Sequence, residues 1–206
     1  FTGSLLIGHA TTGTISSANY NTALGILALN ALTTGDNNLA VGYNAGTDIT
    51  EGSSNVLVGK GSGVSLTTGS KNVAIGTDTL QTEDTGNFNI AIGFETLKNL
   101  NYDGNAYNVA VGYQAGKEVT TGVRNILVGG FAGGSLTTGV HNVAMGYSAL
   151  ATEDTGSRNT ALGYQALKNL NIDSSAYNVA VGHHAGLSVT TGTKNTLVGG
   201  LAGDAI

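Results

Sequence analysis

The stretch LTTGSKNVAIG, residues 66–76, decides the fold, because its core Asn72-Val73-Ala74-Ile75-Gly76 returns along the whole chain. Asn occupies the same place at Asn21, Asn38, Asn55, Asn72, Asn89, Asn108, Asn125, Asn142, Asn159, Asn178 and Asn195, with Ser4 standing in at the start. The step is 17 residues, except for two steps of 19 that begin at Asn89 and Asn159. A short fixed period means a stacked repeat architecture, in which each unit buries its apolar face only against its neighbours.

Counting Asn as position 0, position 4 is always Gly, from Gly8 and Gly25 to Gly182 and Gly199. Position 3 is a sizeable aliphatic, such as Ile75, Ile92, Val111 or Met145, and position 2 is only Ala or Leu. A second apolar site falls at position 11, as in Ile49, Leu66, Val119, Leu136 and Val189, and a Thr-Thr-Gly or Asp-Thr-Gly turn follows. Apolar runs this short, each broken by Gly, argue against helix and for strand, turn, short strand, turn. The expected fold is all-β: a parallel β-solenoid of about twelve coils of 17–19 residues, spanning roughly 55 Å at the spacing of paired strands.

A longer repeat lies above the coil. Segments 38–107 and 108–177 match at 40 of 70 positions, so the larger unit is four coils, with partial copies at 1–37 and 178–206. The expectation is one β-solenoid repeat domain over residues 1–206. Its 19-residue coils carry NLNYDGNAY (99–107) and NLNIDSSAY (169–177), whose two extra residues should bulge outward. No polar cap closes either end: Phe1-Thr2-Gly3 reads as the tail of a coil and Ile206 stops at position 11. The expectation is a piece of a longer chain or a subunit that stacks end to end.

Composition narrows the function classes. With 33 Gly, no Pro and 40% hydrophobic residues, the chain is neither collagen nor a disordered linker. A net charge of -5, with eight Lys and Arg scattered along the sequence, argues against nucleic acid. Without Cys there are no disulfides or thiolate metal sites, and no apolar run is long enough to span a membrane. No signal peptide opens the chain. No nucleophile elbow or phosphate loop appears, so neither an enzyme nor a cofactor is expected. His183-His184 should alternate faces and read as solvated rather than metal-binding, as do His9 and His141. The pairs Glu83-Asp84 and Glu153-Asp154 lie too far apart to share an ion, and Asp84 and Asp154 are expected to cap turns.

Positions 1 and 3 read as one apolar row facing the interior. The opposite row, including Ala40, Leu57, Ala110, Leu127 and Ala180, holds no polar residue and reads as a contact with another chain, with a merely exposed row of small residues as the alternative. The Asn column reads as a ladder of stacked amides. At position 5, Tyr43, Phe94, Tyr113, Tyr147, Tyr164 and His183 form a broken aromatic row. Packing on the next coil or chain is its preferred reading, and stacking on sugar rings is the alternative. Tyr102, Asp103 and Asp173 in the bulges are further candidate surface-binding residues, alongside Tyr43, Tyr113, Tyr147 and Tyr164. A bulge that only corrects the twist of the stack is an equal reading.

The strings NVAIG, NVAVGYQAG (108–116), NTALGYQAL (159–167) and LTTGSKNVAIG resemble the head repeats of trimeric autotransporter adhesins. They resemble still more the repeat arrays of bacteriophage tail fibres and related bacterial surface proteins. The resemblance covers essentially the whole chain. It implies a left-handed solenoid, a homotrimer, and an extracellular, cell-surface or virion location. The expected function is a structural or adhesive fibre segment for host or glycan attachment. A self-polymerising filament subunit stacking end to end is the alternative, with an ice-binding solenoid presenting its Thr-Thr-Gly row behind it.

Overall fold

The computed structural model describes residues 4–7 and 17–204. Phe1-Thr2-Gly3, Gly8, His9 and Ile206 lie outside the described residues. The chain divides into two compact units, Phe1–Tyr107 and Asn108–Ile206, and their boundary falls on the 70-residue repeat. The first holds β1 (Leu5–Ile7), β2 (Thr22–Leu24), β3 (Leu39–Val41), β4 (Val56–Val58), β5 (Val73–Ile75) and β6 (Ile90–Ile92). The second holds β7 (Val109–Val111), β8 (Ile126–Val128), β9 (Val143–Met145), β10 (Thr160–Leu162), β11 (Val179–Val181) and β12 (Thr196–Val198). Within each unit every strand pairs in parallel with the next one in sequence, position on position, as in Val56↔Val73 and Val143↔Thr160. The protein is thus an all-β parallel solenoid, with no helix among the described residues.

Each coil contributes one strand, not the two expected. Position 11 lies in no strand, although its side chain still points inward, as for the fully buried Ile49, Leu66, Val119 and Leu136. The reason is a backbone that turns too often to stay extended. Positions 6, 8 and 16 adopt left-handed φ, for example Asn44 (59°), Leu80 (46°) and Lys71 (60°). Among the described residues, none of the non-Gly residues with positive φ is Val, Ile or Thr, the side chains that tolerate that region least. Outside the strands the backbone still bonds from coil to coil, as in Thr50 N–H to Thr67 O at 3.0 Å.

The facing of the strand is the reverse of the sequence expectation. Position 2 is the interior row: Ala23, Ala40, Leu57, Ala74 and Ala91, then Ala110, Leu127, Ala144, Ala161 and Ala180, are all buried within their own chain. Positions 1 and 3 face outward and are half-buried or exposed. Alternation sends either the middle side chain or the two outer ones inward, and here the enclosed space takes the middle one. The enclosed space also receives positions 7, 8 and 11 from the rest of the coil, so it accepts Ala more readily than Ile. Ala110 therefore faces no partner chain, and Ile92 is not a core residue.

That interior is volume-matched within a coil that carries Leu at position 2 or 8; in the Ala40 coil both are small, and Leu29 and Leu57 of the adjoining coils fill the space beside Gly46. Where position 2 is Leu, at Leu57 and Leu127, position 8 of the same coil is Gly63 or Gly133. A Cβ on Gly133 would lie 2.8 Å from Leu127 Cδ2. Where position 2 is Ala, at Ala74 and Ala144, position 8 is Leu80 or Leu150, fully buried. Leu127→Ala should cost about 2–5 kcal/mol for the cavity it leaves, and Gly133→Leu alone should also destabilise by crowding Leu127. Combining them recreates the Ala144/Leu150 arrangement, so the double variant should be more stable than either single one in chemical denaturation. Simple additivity of the two losses would show that the sites do not share one space.

Candidate functional site

Stacking in strict register turns each coil position into a column, so the surface of each unit is a set of columns. The Asn column is not on that surface. Asn55 is fully buried. Its Oδ1 accepts the backbone N–H of Asn72 at 3.0 Å and the Asn72 side-chain amide at 3.3 Å. Its own amide donates to Asn38 Oδ1 at 3.1 Å and to Gly69 O at 2.9 Å. The same pattern joins Asn21 to Asn38 and Asn108 to Asn125. Asn142 and Asn159 are joined likewise, as are Asn178 and Asn195. Over the 19-residue coil the rung from Asn178 N–H to Asn159 Oδ1 lengthens to 3.3 Å. Asn89 completes the first unit's ladder through Asn72 Oδ1, at 2.9 Å from its backbone N–H.

The outward sheet face carries no charge. In the first unit it presents Leu24, Val41, Val58, Ile75 and Ile90, and in the second Val111, Ile126, Val143 and Met145. Thr22, Thr160 and Thr196 are its only polar members among the described strands. Ile126 is 41% exposed and Met145 43%. A solvated sheet face normally alternates with polar residues, and this one does not. A contiguous apolar surface rimmed by polar groups marks a contact surface.

The position-5 aromatics flank that face. In the second unit Tyr113, Phe131, Tyr147, Tyr164 and His183 form a continuous chain of ring contacts, with centroids 5.2–5.8 Å apart. Phe131, from position 6, fills the gap left by Gly130. Tyr147, Tyr164 and His183 lie face to face, so their edges and hydroxyls, rather than their faces, meet solvent. In the first unit Tyr43 is half exposed. His183 and His184 do not alternate faces: left-handed φ at His184 brings their rings to 3.9 Å. Among the described residues no group of three or more His, Asp or Glu could hold a metal ion.

The bulges are tied down from inside. Glu83 and Glu153 occupy position 11, where other coils carry Leu, Ile or Val, and both are fully buried. Glu83 Oε1 accepts the Gly86 N–H at 2.7 Å and its Oε2 accepts the Tyr102 N–H at 3.3 Å. Glu153 Oε1 takes the Gly156 and Ile172 N–H groups in the same way. Each glutamate thus caps its own turn and holds the bulge of the following coil. That is turn-capping of the kind expected of Asp84 and Asp154, one residue earlier; Asp154 also caps as expected, its Oδ1 accepting the Thr155 N–H at 2.7 Å. Asp103 accepts the Thr85 hydroxyl and Asp173 the Thr155 hydroxyl, so both bulge aspartates bind the preceding turn. Tyr102 and Asp103 are therefore brought next to one another in the first bulge, apart from the position-5 column. Counting the register to position 11 would have found the glutamates in the sequence. No protein-family model, curated protein or solved structure matches the chain.

Burial pushes the Glu83 carboxyl up to about 7, against the opposing pull of the Gly86 and Tyr102 N–H groups, and raises Glu153 as well. Because the folded state holds the Glu83 proton more tightly than the unfolded chain, it binds more protons between about pH 4.5 and 7. The stabilisation is full below that window and is lost as pH rises through it. For Glu83 the loss is on the order of 3 kcal/mol. Denaturation midpoints should fall from pH 5 to pH 8, and Glu83→Gln should flatten that slope. An unchanged slope in the variant would place the titrating group elsewhere.

Proposed function

We propose that the chain is a structural and adhesive fibre segment of the kind found in phage tail fibres and bacterial surface adhesins. In this reading the solenoid is left-handed, and three chains associate side by side outside the cell or on a virion. The observation that carries it is the uncharged aliphatic face along the strands of each unit. In water such a face favours burial by about 25 cal/mol per Å². The surface that meets another chain is then positions 1 and 3, not the Ala row. The repeat motifs support the same reading by resemblance. Its mechanism is geometric: a stack of stiff coils holds binding surfaces at a distance and repeats them, so that weak contacts add as avidity.

Two features weigh against the ice-binding alternative. The position-12 hydroxyls of Thr33, Thr50, Thr67, Thr120 and Thr137 donate to carbonyls of the next coil, so they hold the stack together instead of forming a free array. Asp84 and Asp154 interrupt the same column.

Ile126→Lys places a charge at the centre of a β8 neighbourhood that is already exposed in one chain, so the coil spectrum should be kept. The mass from sedimentation or light scattering should drop from three chains to one. Ala144→Lys, in contrast, would put a charge in the interior and should abolish the fold itself. A parent protein that is already a single chain in solution, or an Ile126→Lys variant that keeps the assembled mass, would overturn the lateral assembly.

A further inference from the structure

The cations that look scattered in sequence are gathered in the fold. Position 16, or its equivalent in the 19-residue coil, is Arg124, His141, Arg158, Tyr177 and Lys194 in the five successive coils of the second unit. All five are exposed and all five take left-handed φ, between 54° and 61°. Identical backbone geometry in stacked coils launches the five side chains in parallel, at steps of about 4.8 Å. The column therefore runs for roughly 19 Å. It holds three of the five Lys and Arg residues of that unit, Lys117 and Lys168 being the others.

Among the described residues no carboxylate forms an ion pair with this column. The ion pair among the described residues is Lys98–Glu95, on the first unit. Asp173, the acidic group in the adjoining bulge, is bound by Thr155. Arg158 is held by its neighbours: its guanidinium donates to the Ser175 hydroxyl and stands 5.6 Å from the centroid of the Tyr177 ring. A fixed guanidinium loses less freedom on meeting an anion. The first unit uses the same backbone column differently. There it is Tyr20, Asn37, Ser54, Lys71, Phe88 and Tyr107, with the Lys71 ammonium 4.9 Å from the Phe88 centroid. The two 70-residue repeats agree at 40 positions, yet of the four column pairs only Tyr107 and Tyr177 agree. The frame is common to both units, and the outward chemistry is what changes.

We infer that the position-16 column of the second unit binds a linear anionic polysaccharide laid along the coil stack. Guanidinium and ammonium groups in a row suit sulfate or carboxylate groups repeated along a polymer. The rise of one coil is close to that of one sugar unit in an extended glycan, so anions on every second sugar can meet the cations of alternate coils. Hydroxyl-bearing Tyr177 and the imidazole of His141 supply hydrogen bonds between the cations. The Tyr177 ring is already paired with Arg158, which favours a glycan over a stacked base. The inference gives the adhesive part of the proposed function its chemistry, and it needs only one chain's unit.

The test uses the full chain and a labelled heparin dodecasaccharide as the probe, with binding read by fluorescence anisotropy at two salt concentrations. The parent should bind, and more weakly as salt rises. Arg124→Ser/Lys194→Ser should lose at least tenfold in affinity. Lys60→Ser/Lys168→Ser removes the same charge away from the column and should lose less than threefold. Three results would each overturn the column as a glycan site: no binding by the parent at low salt, equal losses in the two double variants, or single-stranded DNA of matched length binding at least as tightly. A changed mass of Arg124→Ser/Lys194→Ser in light scattering would instead make the column a contact between copies, which also overturns it. A parent that is one chain in solution but shows the expected glycan pattern would remove the lateral assembly and leave this site standing.

Discussion

Everything in this protein depends on each coil lying within strand-pairing distance of the next around its whole circuit. Backbone must touch backbone at the corners as well as in the strands. The Gly at position 4 is the clearest mark of that demand. At Gly42, with φ of 136°, an added Cβ would stand 2.6 Å from the carbonyl oxygen of Gly59, and at Gly112 the same distance from Gly129 O. No side chain can be accommodated there without separating the coils. The buried Asn ladder answers the complementary problem at the other end of the strand. The turn from position 14 to position 0 leaves a Gly carbonyl and a backbone N–H facing inward, and one amide satisfies both while linking to the next coil.

From that close stacking follows the narrowness of the interior. A three-residue strand contributes one inward side chain, and small residues or matched Leu–Gly pairs fill what remains. The same narrowness explains the glutamates. Where two extra residues lengthen a coil, backbone N–H groups at Tyr102 and Ile172 turn toward the interior, and an aliphatic residue at position 11 of the coil before could not accept them. A carboxyl group can, at the cost of burial that raises its affinity for a proton. The bulges and the glutamates are therefore one device, and the pH dependence expected of stability follows from how the insertion is held.

The regular register also organises the exterior. Because every coil repeats the same backbone angles, a residue type at one position becomes a column on the surface. Aliphatic positions 1 and 3 become an apolar face, position 5 becomes a stack of rings in the second unit, and position 16 becomes a row of cations there. Columns convert a modest local choice, one side chain per coil, into an extended surface suited to other polymers or other chains. This is how a solenoid acquires function without disturbing its fold: outward positions vary between the two units while the Asn, the position-4 Gly and interior positions 2 and 8 do not, and interior position 7 changes only among small residues, as from Ser62 and Thr79 to Ala132 and Ala149.

Period, element type and stacking were legible in the sequence because each is enforced locally: Asn, three apolar residues and Gly at a step of 17 permit few other backbones. The 70-residue repeat and the places where bulges must fall were equally plain. Facing was not legible. Alternation places positions 1 and 3 on one side and position 2 on the other, but which side is inward depends on the width of the enclosed space. That width is set by how positions 6, 8 and 16 curl the rest of the coil. Ile92 and Ala110 were assigned in reverse for that reason. The register gives the inward place of Glu83 and Glu153, but their bonds to the bulge of the next coil, like the gathering of Arg124, Arg158 and Lys194, were hidden by the same limit. Sequence displays neighbours along the chain, whereas these residues acquire their environment from coils one turn above and below, and only the closed circuit decides what meets what.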